Sequence, residues 1–320
     1  MKNKIIKKGF YSIASRLRYI YLFDIFKKLM VSKHRIVSDF SIDLINLFDP
    51  NNIRKISRSK IKENIIIFKG FDGSLFKLNL SEHIDYKIYI NGYFDLTVVN
   101  FIKKYLGISS TVFIDVGANI GSVSIPTANL GVKTISVEPV KHIFSKLLEN
   151  VSLNPGYIKT IHKALVGSGF KEQTVTLFSP IGNSGATSYK PNWNPSKGPN
   201  YSEIVDVLTL DQLVNSLHFN AHDFLMLIKI DVEGMEVEVL SGSREVIRIF
   251  RPLFIMEWRI DRYEPADKFL LLKTLRELSN YLIFALNGSK DQVNISGFDE
   301  NNIYENILLV PKEKFDKYFT

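Results

Sequence analysis

Cysteine is absent from the 320 residues, which excludes disulfides and thiolate-held metals and fits a reducing compartment. No apolar run nears the roughly 18 residues that a membrane span needs. The lysine-rich start has neither the apolar stretch nor the small-residue cleavage site of a secretory signal, so a cytoplasmic location is expected. The chain has only six histidines, and His83, His142, His218 and His222 show no ligand spacing with acids. No metal is therefore expected. The formal charge of +8 is spread along the chain, without a basic stripe interleaved with aromatics, and so points to solubility more than to nucleic acid.

The one local concentration of positive charge lies at the start, where Lys2, Lys4, Lys7, Lys8, Arg16 and Arg18 accompany Ile6, Phe10, Ile13 and Leu17 at helical spacing. Docking on the protein itself or on a twin subunit is the expectation. Peripheral membrane contact through residues 1–30 is the alternative. Two alternating runs, Ile65–Phe68 and Leu75–Leu78, flank an Asp72-Gly73 turn and read as a hairpin. Residues 1–90 are thus read as a helical and β-hairpin extension, and 91–320 as the principal domain.

That domain opens with its most informative segment. Val112 to Val116 is a short apolar run, buried on both faces as a strand, that delivers Asp115, Gly117, Asn119 and Gly121 to the start of a helix. A second acid, Glu138, ends the next apolar run at Val137. In an open α/β sheet the carboxyl ends of adjacent strands border one crevice, so Asp115 and Glu138 should face a common ligand. Glycine would let backbone approach that ligand, and free N–H groups at the helix start would meet its polar atoms. The spacing is G-x-N-x-G, not the G-x-G-x-x-G of a dinucleotide site, and a carboxylate beside it would repel a pyrophosphate. It suits a ligand with an ammonium and a sulfonium, as in S-adenosylmethionine, with Glu138 accepting from the ribose hydroxyls. By itself the turn also suits any α/β protein.

A later strand, Leu225 to Ile230, runs into Asp231, Glu233 and Glu236. Taken together, DVGANIGSVSIPTA (115–128), VEPVKHIFSKLLENVSLNP (137–155), GNSGATS (182–188) and IKIDVEGMEVEVLSG (228–242) resemble the FkbM-type S-adenosylmethionine-dependent methyltransferase family. The likeness spans about 110–260. It implies a Rossmann-like α/β fold: a seven-stranded methyltransferase sheet, mostly parallel, with an antiparallel C-terminal edge hairpin. The apolar runs near 112, 134, 158, 225, 253, 281 and 307, with helical patterns near 122, 142, 235 and 267, agree with it.

The resemblance also implies a site. Asp115, Gly117, Asn119, Gly121, Glu138, Pro139, Ala164 and Asp231 would bind the cofactor; Asp231, Glu233 and Glu257 would line the acceptor side and supply the base that takes a hydroxyl proton. Gly182 to Gly185 lies in a glycine- and proline-rich stretch from 179 to 202 that reads as a substrate lid, with Tyr189, Trp193 and Tyr201 as flat faces for a sugar or other semi-polar acceptor. The expected activity is O-methylation of a glycan or small-molecule hydroxyl, with homo-oligomerisation open. A nicotinamide-dependent oxidoreductase and a non-catalytic cofactor-fold binding protein are the alternatives. Gly92-Tyr93-Phe94-Asp95 matches an element that such families place before the first strand, with aspartate where glutamate is usual.

Overall fold

A computed structural model describes residues 65–106, 110–180, 185, 187–189, 200–220, 223–259, 263–278, 280–288 and 293–319. All of these fall in the second of two units into which the chain divides, Met1–Asn64 and Ile65–Thr320. The basic N-terminal helix expected over residues 1–30 lies outside the described residues. So do Trp193 and most of the expected lid.

The alternation of apolar runs does form a sheet. Its strand order is β12-β11-β13-β10-β9-β3-β4-β5, where β3 is Thr111–Val116, β4 Lys133–Val137, β5 Ile158–Ile161, β9 Leu225–Ile230, β10 Leu253–Trp258, β11 Tyr281–Gly288, β12 Val293–Gly297 and β13 Tyr304–Pro311. The five strands from β10 to β5 are parallel. Burial on both faces explains their apolar runs. Val112, Ile114 and Val116 of β3 and Met226, Ile228 and Ile230 of β9 pack into one core layer. Phe113 of β3, with Leu225 and Leu227 of β9, packs into the other, so the period of two assigns each residue to a face.

The fold is the mostly parallel α/β sheet expected from the sequence, with one difference at its edge. Strands β11 and β13 pair antiparallel as anticipated, but β13 inserts between β10 and β11, and an eighth strand, β12, takes the edge. Its sequence, Val293-Asn294-Ile295-Ser296-Gly297, looked like polar loop. An edge strand needs only one ladder of hydrogen bonds and one half-buried face, here anchored by buried Val293.

Helices cover the sheet: α1 (His83–Asn91), α2 (Thr97–Tyr105), α3 (Ser124–Asn129), α4 (Lys141–Ser152), α5 (Leu210–Ser216), α6 (Glu236–Ser241), α7 (Arg244–Phe250), α8 (Pro265–Glu277) and α9 (Lys312–Phe319). Helix α5 starts at a capping box in which Thr209 and Gln212 exchange hydrogen bonds. Beyond the main sheet, β7 (Thr174–Pro180) pairs antiparallel with β8 (Asn200–Leu208), the two tethers expected around the lid, and the short β6 (Ala164–Leu165) joins β8.

The hairpin of β1 (Ile65–Lys69) and β2 (Leu75–Asn79) forms as read, and two asparagines fasten it to α4. Asn150 Oδ1 accepts from Lys77 N at 2.7 Å, and its Nδ2 donates to Ile120 O at 3.0 Å. Asn154 accepts from Leu75 N and donates to Leu75 O. One buried amide thus joins hairpin, helix and the turn after β3.

Candidate functional site

The period of two that sorts the core also gathers the polar residues. Asp115 continues the face of Phe113; Lys229 and Asp231 continue that of Leu225 and Leu227; Glu257 continues that of Leu253 and Ile255. Because β3, β9 and β10 are adjacent, these side chains meet at the carboxyl ends of the sheet. They border a cleft together with Gly117, Ala118, Asn119, Glu138, Pro139, Ala164, Glu233 and Met235. Every residue assigned to bind the cofactor or supply the base lines it except Gly121; of the aromatics expected to face the acceptor, Tyr189 and Tyr201 are not among its lining residues.

Asp115 is 1% exposed. Ser124 Oγ donates to its Oδ2 at 2.5 Å, and Ser136 Oγ supports Ser124 at 2.7 Å. Its other oxygen, Oδ1, is buried and accepts no hydrogen bond among the described residues. A buried carboxylate oxygen without a donor is costly, and Asp115 is among the residues that line the cleft. Burial pushes the Asp115 carboxyl up, against the pull of Lys229 and the Ser124 hydroxyl.

Glu138 is bound to the same turn. Its Oε2 accepts from Asn119 N at 3.0 Å and its Oε1 from Val140 N at 2.9 Å. Burial nonetheless raises its carboxyl to about 7, with the two backbone donors opposing and the Asp115 charge adding to the rise. Each oxygen keeps a further lone pair for a ligand hydroxyl.

The glycine-rich turn differs from expectation in what it does with its backbone. Gly117 N and Ala118 N both donate to Val137 O, Ile120 N to its neighbour Asn119 Oδ1, and Gly121 N to Ala118 O. The turn spends these donors internally, and α3 begins only at Ser124. Glycine is also demanded by protein, not only by a ligand: a Cβ on Gly117 (φ +86°) would lie 1.9 Å from Asp231 O, and one on Gly121 (φ +89°) 2.7 Å from Ile125 Cδ1. The turns after β3 and β9 are therefore in backbone contact.

On the side of the cleft where an acceptor is expected, Asp231, Glu233 and Glu257 offer carboxylate oxygens within 4.8 Å of one another. Lys229 Nζ donates to Asp231 Oδ2 at 2.7 Å. Buried Glu236 accepts from the Tyr263 hydroxyl and from Gly234 N. Gly185 and Thr187 line the cleft from the stretch expected to act as a lid, where Phe178 and Ser188 form a bridge and Tyr189 donates to Glu238 at 2.9 Å. His162 stacks on Phe144 with ring centres 4.7 Å apart and is not among the residues that line the cleft.

Three residues that line the cleft or support it from behind went unassigned in the sequence reading. Lys229 sat inside an apolar run. Asp95, in the turn before α2, stood only as a departure from a motif, and Asn150 was one polar residue among many in a helix. A signal for Lys229 was present: a lysine in phase with Leu225 and Leu227 occupies a buried face and needs counter-charges there.

A mostly parallel sheet with acids converging at the carboxyl ends of three central strands, and a glycine turn after the first, defines an α/β protein with its ligand crevice at the strand ends. More particularly, the chain belongs to the FkbM methyltransferase family: the Methyltransferase FkbM domain matches residues 115–281. Solved structures with similar chains include the methyltransferase FkbM of Methylobacillus flagellatus, with 18% identity, 62% of this chain and 43% of that chain covered and a TM-score of 0.36. The chain therefore spans less than half of that protein. Others are magnesium protoporphyrin IX methyltransferase from Synechocystis with bound S-adenosylmethionine (11% identity, 71% and 82% covered, TM-score 0.35) and the CcbJ methyltransferase from Streptomyces caelestis (10%, 67% and 88%, 0.39). A comparison with curated proteins finds no match.

Proposed function

We propose that the protein transfers a methyl group from S-adenosylmethionine to a hydroxyl of a glycan or small-molecule acceptor. The observation that carries the cofactor half is the orphaned Oδ1 of buried Asp115, which asks for a donor, and best a cationic one. The surrounding charge agrees: Asp115, Glu138, Asp231, Glu233 and Glu257 line the cleft against Lys163 and Lys229. A positively charged ligand is attracted there, and a pyrophosphate is repelled.

Asp115 would hold the cofactor's ammonium and Glu138 its ribose hydroxyls, with Gly117, Asn119, Pro139 and Ala164 shaping the wall. When bound, the cofactor supplies a methyl group already activated on sulfur. The protein's remaining work is to align the acceptor oxygen, exclude water and take up its proton. Asp231 and Glu233 do the last of these, and Glu257 flanks the acceptor. The reading assigns no metal, so a chelator should leave turnover unchanged; loss and recovery on adding magnesium would reassign the three acids as cation ligands. The decisive experiment for the acceptor half is turnover of S-adenosylmethionine against a panel of sugars and small phenols or alcohols, with the product's methylated atom located by mass spectrometry. Methylation only of amines or carbons would overturn the hydroxyl assignment.

A further inference from the structure

Lys229 is 3% exposed, in the middle strand of the sheet, where a leucine would satisfy the core as Leu225 and Leu227 do. A buried ammonium is retained only with partners, and removing those partners' counter-charge is costly. Three carboxylates surround it. Asp231, two residues along the strand, takes its hydrogen bond at 2.7 Å. Asp115 is its register partner on β3. Asp95, in the turn before α2, adds a third negative charge that acts on it; a left-handed φ of +47° and a hydrogen bond from Thr97 N to its carboxylate fix its backbone. Burial alone would lower the Lys229 pKa, but Asp231, Asp115 and Asp95 outweigh it and hold the ammonium charged.

We propose that Lys229 is the positioning residue of this site, a single buried ammonium that bonds the acceptor acid Asp231 directly and acts through its charge on the cofactor acid Asp115, its neighbour on β3. The inference rests on the reading above for what the two acids bind. The groups facing Asp115 are Lys229, Ser124, Asp231, Asp95 and, across the turn, Glu138. Lys229 is the one cation among them, and it counteracts the rise that burial imposes on Asp115. Without it burial and the neighbouring acids would push the Asp115 carboxyl further up, which weakens its attraction for a cationic ligand.

The test uses the full chain and Lys229→Met. Calorimetry with S-adenosylmethionine should show affinity falling about tenfold or more near pH 7 and recovering toward wild type as the pH rises and Asp115 ionises again. A packing defect alone would weaken binding equally at every pH, and that result overturns the proposal. A second readout needs no cofactor: infrared difference spectra against Asp115→Asn follow the Asp115 carboxyl in the unliganded protein. Its midpoint should move up by about one pH unit or more in Lys229→Met. An unmoved midpoint also overturns it. If wild type fails to bind S-adenosylmethionine while the midpoint still moves, the functional reading falls and the role of Lys229 stands. Should Lys229→Met not fold, Asp95→Asn/Lys229→Met, which keeps the net charge, is compared with Asp95→Asn by the same two measurements.

Discussion

Replacing Gly117 with alanine separates two reasons for a glycine at the head of the β3 turn. If only a ligand approaches this backbone, the added methyl should cost the unliganded protein little. The structure says otherwise, because the methyl would point at Asp231 O from 1.9 Å and at Asp231 C from 2.9 Å, both backbone atoms that no rotamer change can move. The residue would also have to hold φ near +86°. Strained backbone of this kind costs about 1–3 kcal/mol, and forced overpacking roughly 1–3 kcal/mol more. A destabilisation of about 4 kcal/mol is expected, which lowers the melting temperature of a domain this size by roughly 8–16 °C. Gly121→Ala should be milder, since its methyl meets the far ends of Ile125 and Leu147. Differential scanning calorimetry of the unliganded variants checks the ranking. A Gly117→Ala protein that melts within about 2 °C of wild type would refute the backbone-contact argument.

Glu138 gives a pH signature. Its carboxyl rises from 4.5 to about 7 on folding, so its contribution is fully present below 4.5 and is lost as the pH climbs through 7, by about 3 kcal/mol in all; urea unfolding from pH 4.5 to 8 should show a loss of stability smaller by about this amount in Glu138→Gln than in wild type, the remainder belonging to other raised carboxyls such as Asp85. Asn150→Ala strands Lys77 N and Ile120 O, at about 1–3 kcal/mol each, and should lower the urea midpoint accordingly; an unchanged midpoint would mean the hairpin is not fastened there. Asp231→Asn or Glu233→Gln should keep S-adenosylmethionine affinity within a few-fold while turnover falls about a hundred-fold. Full turnover in both would move the proton to Glu257 or to solvent.

Much of this was legible in the chain itself, for identifiable reasons. Strands buried on both faces leave long apolar runs, and an acid that ends such a run, as Asp115 and Glu138 do, marks the crevice without any knowledge of packing. That Asp231, Glu233 and Glu257 belong with Asp115 at one site came from the resemblance to the FkbM family, not from any local pattern. What stayed hidden depends on partners distant in sequence. Nothing local tells that Asn150 will meet Lys77 and Ile120, or that Gly117 will abut Asp231. The β12 edge strand was hidden for the opposite reason: one ladder and one half-buried face impose too little pattern to stand out from a polar loop. Lys229 was readable by parity and was passed over because a lysine in an apolar run reads as an interruption, not as the centre of an ion cluster.

The central claim is that the orphaned Asp115 oxygen and its acidic surroundings select a cationic methyl-donor cofactor over a pyrophosphate one. Isothermal titration of wild type and Asp115→Asn with S-adenosylmethionine and with NAD tests it most directly. Wild type should bind S-adenosylmethionine and ignore NAD, and Asp115→Asn should lose about 1.5–3 kcal/mol of that affinity, tenfold or more, while still folding. Binding of NAD in place of S-adenosylmethionine, or equal affinity for S-adenosylmethionine in the two proteins, would contradict it.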